Sequence, residues 1–153
     1  MKIILKGSRM MENKKISIAD IQQLPTDTIG HDLLRYIGLQ DLIAQENDSL
    51  LYYIGKRFAR KFDINSIEDI ALIFHMMKWG HLDLVKEKKK ELHFHLMSDE
   101  LAQKLNSSFP IEFRMEAGFL SEAISILTER TCECTEEVNK RLLRSEFKVL
   151  FID

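Results

Sequence analysis

The run Phe113–Arg130, FRMEAGFLSEAISILTER, constrains this chain more than any other stretch. Phe119, Leu120, Ala123, Ile124, Ile126 and Leu127 recur at helical spacing, with Glu122, Ser125 and Glu129 on the opposite face. So wide an apolar arc needs cover on most of its circumference, which predicts a helix buried across a sheet. Just before it, Phe113 and Met115 alternate with Glu112 and Arg114, the pattern of a short strand leading in. Gly118 falls in the first turn, where it weakens the helix, and so predicts a close approach by another group.

The rest of the chain supplies that cover. Ser17 with Asp20 forms a capping-box pattern ahead of Ile18, Ile21 and Leu24, and Pro25 stops this short helix. A second helix is predicted over Asp27–Ile37 with Gly38 as its stop, and Leu39–Ile43 adds a further turn. Asp48 caps a strongly periodic helix, Ser49–Phe62, whose apolar stripe is Leu51, Ile54, Phe58 and Phe62 and whose Gly55 permits close packing. Ser66 and Asp69 open another, Ile67–Trp79, with Ile70, Ala71, Phe74 and Met77 inward and Gly80 at its end. Leu82 and Leu84, then Leu92, Phe94 and Leu96, alternate as the strands of a hairpin around the polar turn Lys86–Lys90. Ser98 caps a short helix, Asn106–Pro110 is a loop, and Thr131–Val138 and Phe147–Ile152 read as closing strands. The pattern predicts one α+β domain over residues 15–153, several helices packed on a small twisted antiparallel sheet. Residues 1–14, opening MKIILKGSRM, are taken as an N-terminal extension outside that domain.

Composition narrows function by exclusion. A net charge of -2 and a pI near 6.2 give no long-range attraction to nucleic acid or to an anionic membrane. No apolar run approaches the ~20 residues of a membrane span. Two cysteines, Cys132 and Cys134, make no disulfide framework, which places the chain in a reducing cytoplasm. They share one strand face and read as small buried hydrophobes. His93 and His95 also share a face, but no third ligand stands at metal-binding spacing. Lys56, Arg57, Arg60 and Lys61 read as a solvated helix end rather than a phosphate patch. Glu116 is the one carboxylate placed for acid–base work, yet no base or nucleophile pairs with it. No Gly-x-Ser-x-Gly elbow, phosphate loop or dinucleotide fingerprint is present. The residues therefore predict a protein that is not an enzyme and needs no cofactor.

Three runs carry a resemblance: LLYYIGKRFARKF (Leu50–Phe62), HMMKWGHLDLV (His75–Val85) and FRMEAGFLSEAI (Phe113–Ile124). In this order and at these separations they resemble the uncharacterised YslB-like family of bacterial proteins, from about Thr28 to the C-terminus. More distantly the pattern is similar to vinyl-reductase-type small-molecule-binding domains and to core subunits of the TRAPP trafficking complex. The resemblance implies the ligand-binding fold of the nitric-oxide-signalling and Golgi-transport type, dimerising through helices, with a hydrophobic molecule in the helix–sheet seam. It lands on Gly55, Trp79, Gly80, Glu116, Gly118 and Phe119. It does not extend to covalent acylation, because Asp63–Ser66 holds no cysteine ahead of the helix at Ile67. The Tyr-x-Ser-x-Arg motif of the haem-binding relatives is also missing.

The combined expectation is a cytoplasmic homodimer that binds a small hydrophobic ligand without chemistry. Its pocket is lined by Phe74, Trp79, Phe94, Phe113 and Phe119, and Gly118 leaves space. The alternative is a scaffold with a filled core that works through protein contacts on the helices Asp27–Ile37 and Ser49–Phe62.

Overall fold

The computed structural model describes residues 15–24, 27–43 and 47–153. Residues 1–14 and Pro25, and with them the expected extension and helix stop, lie outside the described residues. The architecture is α+β. A four-stranded antiparallel sheet contains β1 (His81–Glu87), β2 (Glu91–Met97), β3 (Cys132–Asn139) and β4 (Arg144–Phe151), in the order β1-β2-β4-β3. Leu82 lies opposite Leu96 and Leu84 opposite Phe94, so the alternation read in the hairpin places both apolar rows on one face. The register shifts by a bulge between Leu84 and Lys86.

One helix dominates the covered face. This is α7 (Arg114–Thr128), which packs on β3 and carries α4 (Asn47–Ala59) on its other side. The strand expected at Phe113–Met115 is absent. Phe113 is the N-cap, its carbonyl accepts the Ala117 N–H at 2.9 Å, and the Glu112 carboxylate accepts the Arg114 N–H at 2.7 Å. Two apolar residues at i and i+2 fit a helix start as well as a strand, and the acceptors that satisfy orphan first-turn donors decide between them. On α4, Asp48 lies inside the first turn instead of capping, and the helix ends at Ala59 rather than Phe62.

The N-terminal helices are short. Ser17 and Asp20 close a full capping box on α1 (Ile18–Gln22). The expected helix Asp27–Ile37 is instead α2 (Ile29–Leu33) running into a π-helical turn, Leu34–Gly38, and then α3 (Leu39–Ile43). Gly38 is no stop, because the Leu39 N–H reaches back to the Leu34 carbonyl and the helix continues through it. α5 (Ile67–Met76) is capped by Ser66 as read, but ends three residues before Trp79. Lys78 (φ 61°) and Gly80 (φ 133°) then swing Trp79 into the core and the chain into β1. Ser98 caps α6 (Asp99–Leu105).

Candidate functional site

The aromatic residues expected around a ligand converge in part. Phe74, Trp79 and Phe119 meet edge to face, with centroids 5.0, 5.5 and 5.7 Å apart. That is the favoured geometry for mutually packed rings. Phe113, the N-cap of α7, stands edge-on to Phe147 on β4 at 6.4 Å. Phe94 is fully buried on β2 within the main core. Gly118 faces α4, where a Cβ would lie 1.9 Å from the Tyr52 carbonyl oxygen. Gly55 is its counterpart, 2.0 Å by the same measure from the Met115 carbonyl oxygen. The two glycines are what let α4 and α7 cross in backbone contact.

Beside Trp79 and Phe113 the core turns polar. Arg35, 4% exposed, donates to both oxygens of Glu116 at 2.8 and 2.6 Å and to Glu112 at 3.0 Å. Its guanidinium also lies 4.9 Å over the Tyr36 ring. Burial disfavours the Arg35 charge, but the two carboxylates outweigh it and its pKa moves further up. Burial pushes the Glu112 carboxyl above the usual carboxylate range, against the pull of Arg35. A second buried pair adjoins the first: Lys104 on α6 meets Asp32 on α2 at 2.9 Å, and the Thr28 hydroxyl donates to the same carboxylate. Between these groups lies a cavity of about 30 Å³. Trp79, Phe113 and Met77 give it an apolar side, while Arg35, Glu116 and Lys104 give it a charged one.

Sequence reasoning singled out Glu116 but missed its partners. The signal was present as charged residues inside apolar runs: Asp32 and Arg35 fall three apart among Leu33, Tyr36 and Ile37, and Glu112 and Glu116 fall four apart. Asp32 and Arg35 stand one helical turn apart and turn inward together, while Glu112, just ahead of the α7 N-cap, and Glu116 in its first turn converge on Arg35.

The other polar residues sit elsewhere. His93 and His95 are half-buried on the sheet's outer face, their Nε2 atoms 3.1 Å from Glu91 and 3.9 Å from Glu146. Among the described residues no group of three His, Cys, Asp or Glu side chains is placed to hold a metal. Cys132 and Cys134 are buried free thiols, both pushed up by that burial, and Cys132 Sγ donates to the Ser121 carbonyl at 3.1 Å. Tyr52 reaches across from α4 to the β3 edge, donating to Glu133 and accepting the Cys134 N–H. Among the described residues no helix is long and apolar enough to cross a membrane.

Comparison with known proteins agrees with this architecture. Residues 28–150 match the family model described as a protein of unknown function, DUF2507. The chain is 33% identical over 132 residues to the uncharacterised protein YslB of Bacillus subtilis, covering 86% of this chain and 89% of that one. Among solved structures it is similar to a vinyl-4-reductase family protein from Methanocaldococcus jannaschii, with a TM-score of 0.54 and 20% identity. That match covers 97% of this chain and 89% of the other. It is also similar to a trafficking protein particle complex subunit 3 from Naegleria fowleri, solved covalently bound to palmitic acid. There the TM-score is 0.51 at 14% identity, covering 82% and 97% of the two chains. At such identities the likeness shows the fold alone.

Proposed function

The chain belongs to the DUF2507 family, and from that premise we propose that it is a non-enzymatic binding module. In this reading residues 15–153 are one domain, dimeric and cytoplasmic, that takes a small hydrophobic ligand at the Trp79–Phe113 end of the helix–sheet seam. The observation that carries the reading is the cavity, which joins two of the expected lining aromatics to a cluster of fully paired charges. A ligand site joins apolar surface to fixed polar groups, and here the polar groups outnumber the apolar ones. The ligand's apolar body lies against Trp79 and Phe113, and a polar end faces Arg35 and Glu116. At about 30 Å³ the cavity holds roughly two or three waters, so a ligand larger than that enters only as a wall moves.

The sole tryptophan of the chain, Trp79, makes the test direct. The fluorescent probe 1-anilinonaphthalene-8-sulfonate should show saturable energy transfer from Trp79, competed by the organic extract of the purified protein. Transfer that never saturates would sink the proposal.

A second reading, an interaction scaffold, draws on α5, where Leu72 and Met76 stand one turn apart and are 55% and 71% exposed. The ring-on-ring packing of Phe74, Trp79 and Phe119 also suits a filled seam. Both readings allow a dimer, so dye transfer and sedimentation equilibrium at micromolar concentration separate them only together. Saturable transfer that persists when Leu72→Glu is monomeric favours binding, and a dimer that Leu72→Glu dissociates and that shows no saturable transfer favours the scaffold.

A further inference from the structure

We infer that residues 28–36 form a strap that gates this cavity, latched by Arg35 on Glu116 and by Lys104 on Asp32. Three separate features point to it. The strap supplies one wall, with Asp32, Arg35 and Tyr36, while the opposite wall comes from the α5–β1 turn, α6 and α7. It is fastened differently from the rest of the molecule. Tyr36 packs with Leu24 and Phe109 in a small cluster of its own, joined to the main core through Ile111. Among the described residues, the ion pairs and hydrogen bonds that bridge strap and core run from Arg35 to Glu112 and Glu116 and from Lys104 to Asp32. Segments with few buried apolar contacts open first, below the free energy of global unfolding.

The backbone adds the third feature. The π-helical turn, Leu34–Gly38, falls on Arg35 and Tyr36, two of the strap residues that line the cavity. Such turns are rare and concentrate where a helix must place a side chain out of regular phase. Across the cavity α5 ends in a left-handed turn at Lys78 (φ 61°), closed by the Trp79 N–H on the Phe74 carbonyl at 3.0 Å. Both walls thus carry irregular backbone, whereas the rigid α4–α7 crossing lies on another face of α7. Opening swings α2 and the π-helical turn away and brings Trp79 and Phe113 within reach of a ligand. The inference rests on the binding-module reading for its purpose, but the motion is measurable with no ligand present.

Amide hydrogen exchange on the full chain reads it. The amides of residues 29–38 should exchange as one group, at least about tenfold faster than the interior amides of α4 and α7. The paired variant Arg35→Met/Glu116→Gln should speed the strap by a further factor of about ten and leave α4 and α7 unchanged. Should that variant fail to fold, Asp32→Asn/Lys104→Gln is judged by the same criterion. Strap amides as protected as those of α4 and α7, or a folded variant losing protection evenly along the chain, would overturn the strap. Uptake of 1-anilinonaphthalene-8-sulfonate is scored separately. A strap that opens without any gain in dye binding leaves the gate standing and removes the ligand-binding reading.

Discussion

Gly118 on α7 and Tyr52 on α4 meet backbone to backbone, so closely that a Cβ on the glycine would lie 1.9 Å from the tyrosine carbonyl oxygen. The same helix turn sends the Tyr52 side chain to β3, where Lys56 and Arg114 flank its ring at 5.1 and 4.6 Å. The crossing therefore fixes α4, α7 and one sheet edge together. Its rigidity leaves the face of α7 turned to the cavity as the place where motion can occur.

Gly118→Ala tests that crossing. The obstruction is backbone on both helices, so neither side can yield by changing a rotamer. The expected loss is about 3 kcal/mol or more, at the upper end of overpacking costs. Gly55→Ala should behave alike, since its Cβ would meet the Met115 carbonyl oxygen at 2.0 Å. Urea unfolding of both variants checks this, and a loss below about 1 kcal/mol would contradict the backbone contact.

Arg35→Met strands Glu112 and Glu116 without a counter-charge. Breaking a buried pair from one side costs about 3–5 kcal/mol, whereas replacing both partners costs far less. Arg35→Met/Glu116→Gln should therefore be more stable than Arg35→Met alone. Equal stabilities in a denaturant series would show that the pair is not coupled.

Glu112 predicts a pH signature. Burial raises its folded pKa above the unfolded value, so in the window between the two the native state holds more protons than the unfolded state. The stabilising contribution is complete below the unfolded pKa and disappears as pH rises through the folded one. Glu112→Gln removes it, so the stability of wild type minus variant should fall with rising pH, by no more than about 1.4 kcal/mol per pH unit. A difference that rises with pH, measured by urea melts from pH 4 to 7, would reverse the assignment.

Much of the fold was legible because its signals are local and repeat. Alternation in Leu92, Phe94 and Leu96, and serine caps at Ser17, Ser66 and Ser98, needed no partner to be read. The errors fall where a local pattern is ambiguous: Phe113 and Met115 fit strand and helix start alike, and Gly38 looks like a stop but sits in a widened turn. Gly118 was recognisable as a point of close approach, but what approaches it lies 66 positions away in sequence, at Tyr52. The charged half of the site was harder still. Arg35 and Glu116 are 81 residues apart, and nothing local says that two charges seen separately will neutralise each other in the interior. Charges spaced for one face within an apolar run were the available clue.

Native mass spectrometry of the purified full chain, beside Phe113→Trp, which enlarges the side chain at the cavity wall, decides whether a small molecule is held against Trp79 and Phe113. The expected result is a non-covalent adduct on the wild type that denaturation releases and that the folded Phe113→Trp variant lacks. Wild type at its bare sequence mass, or an adduct retained equally by the variant, would contradict it.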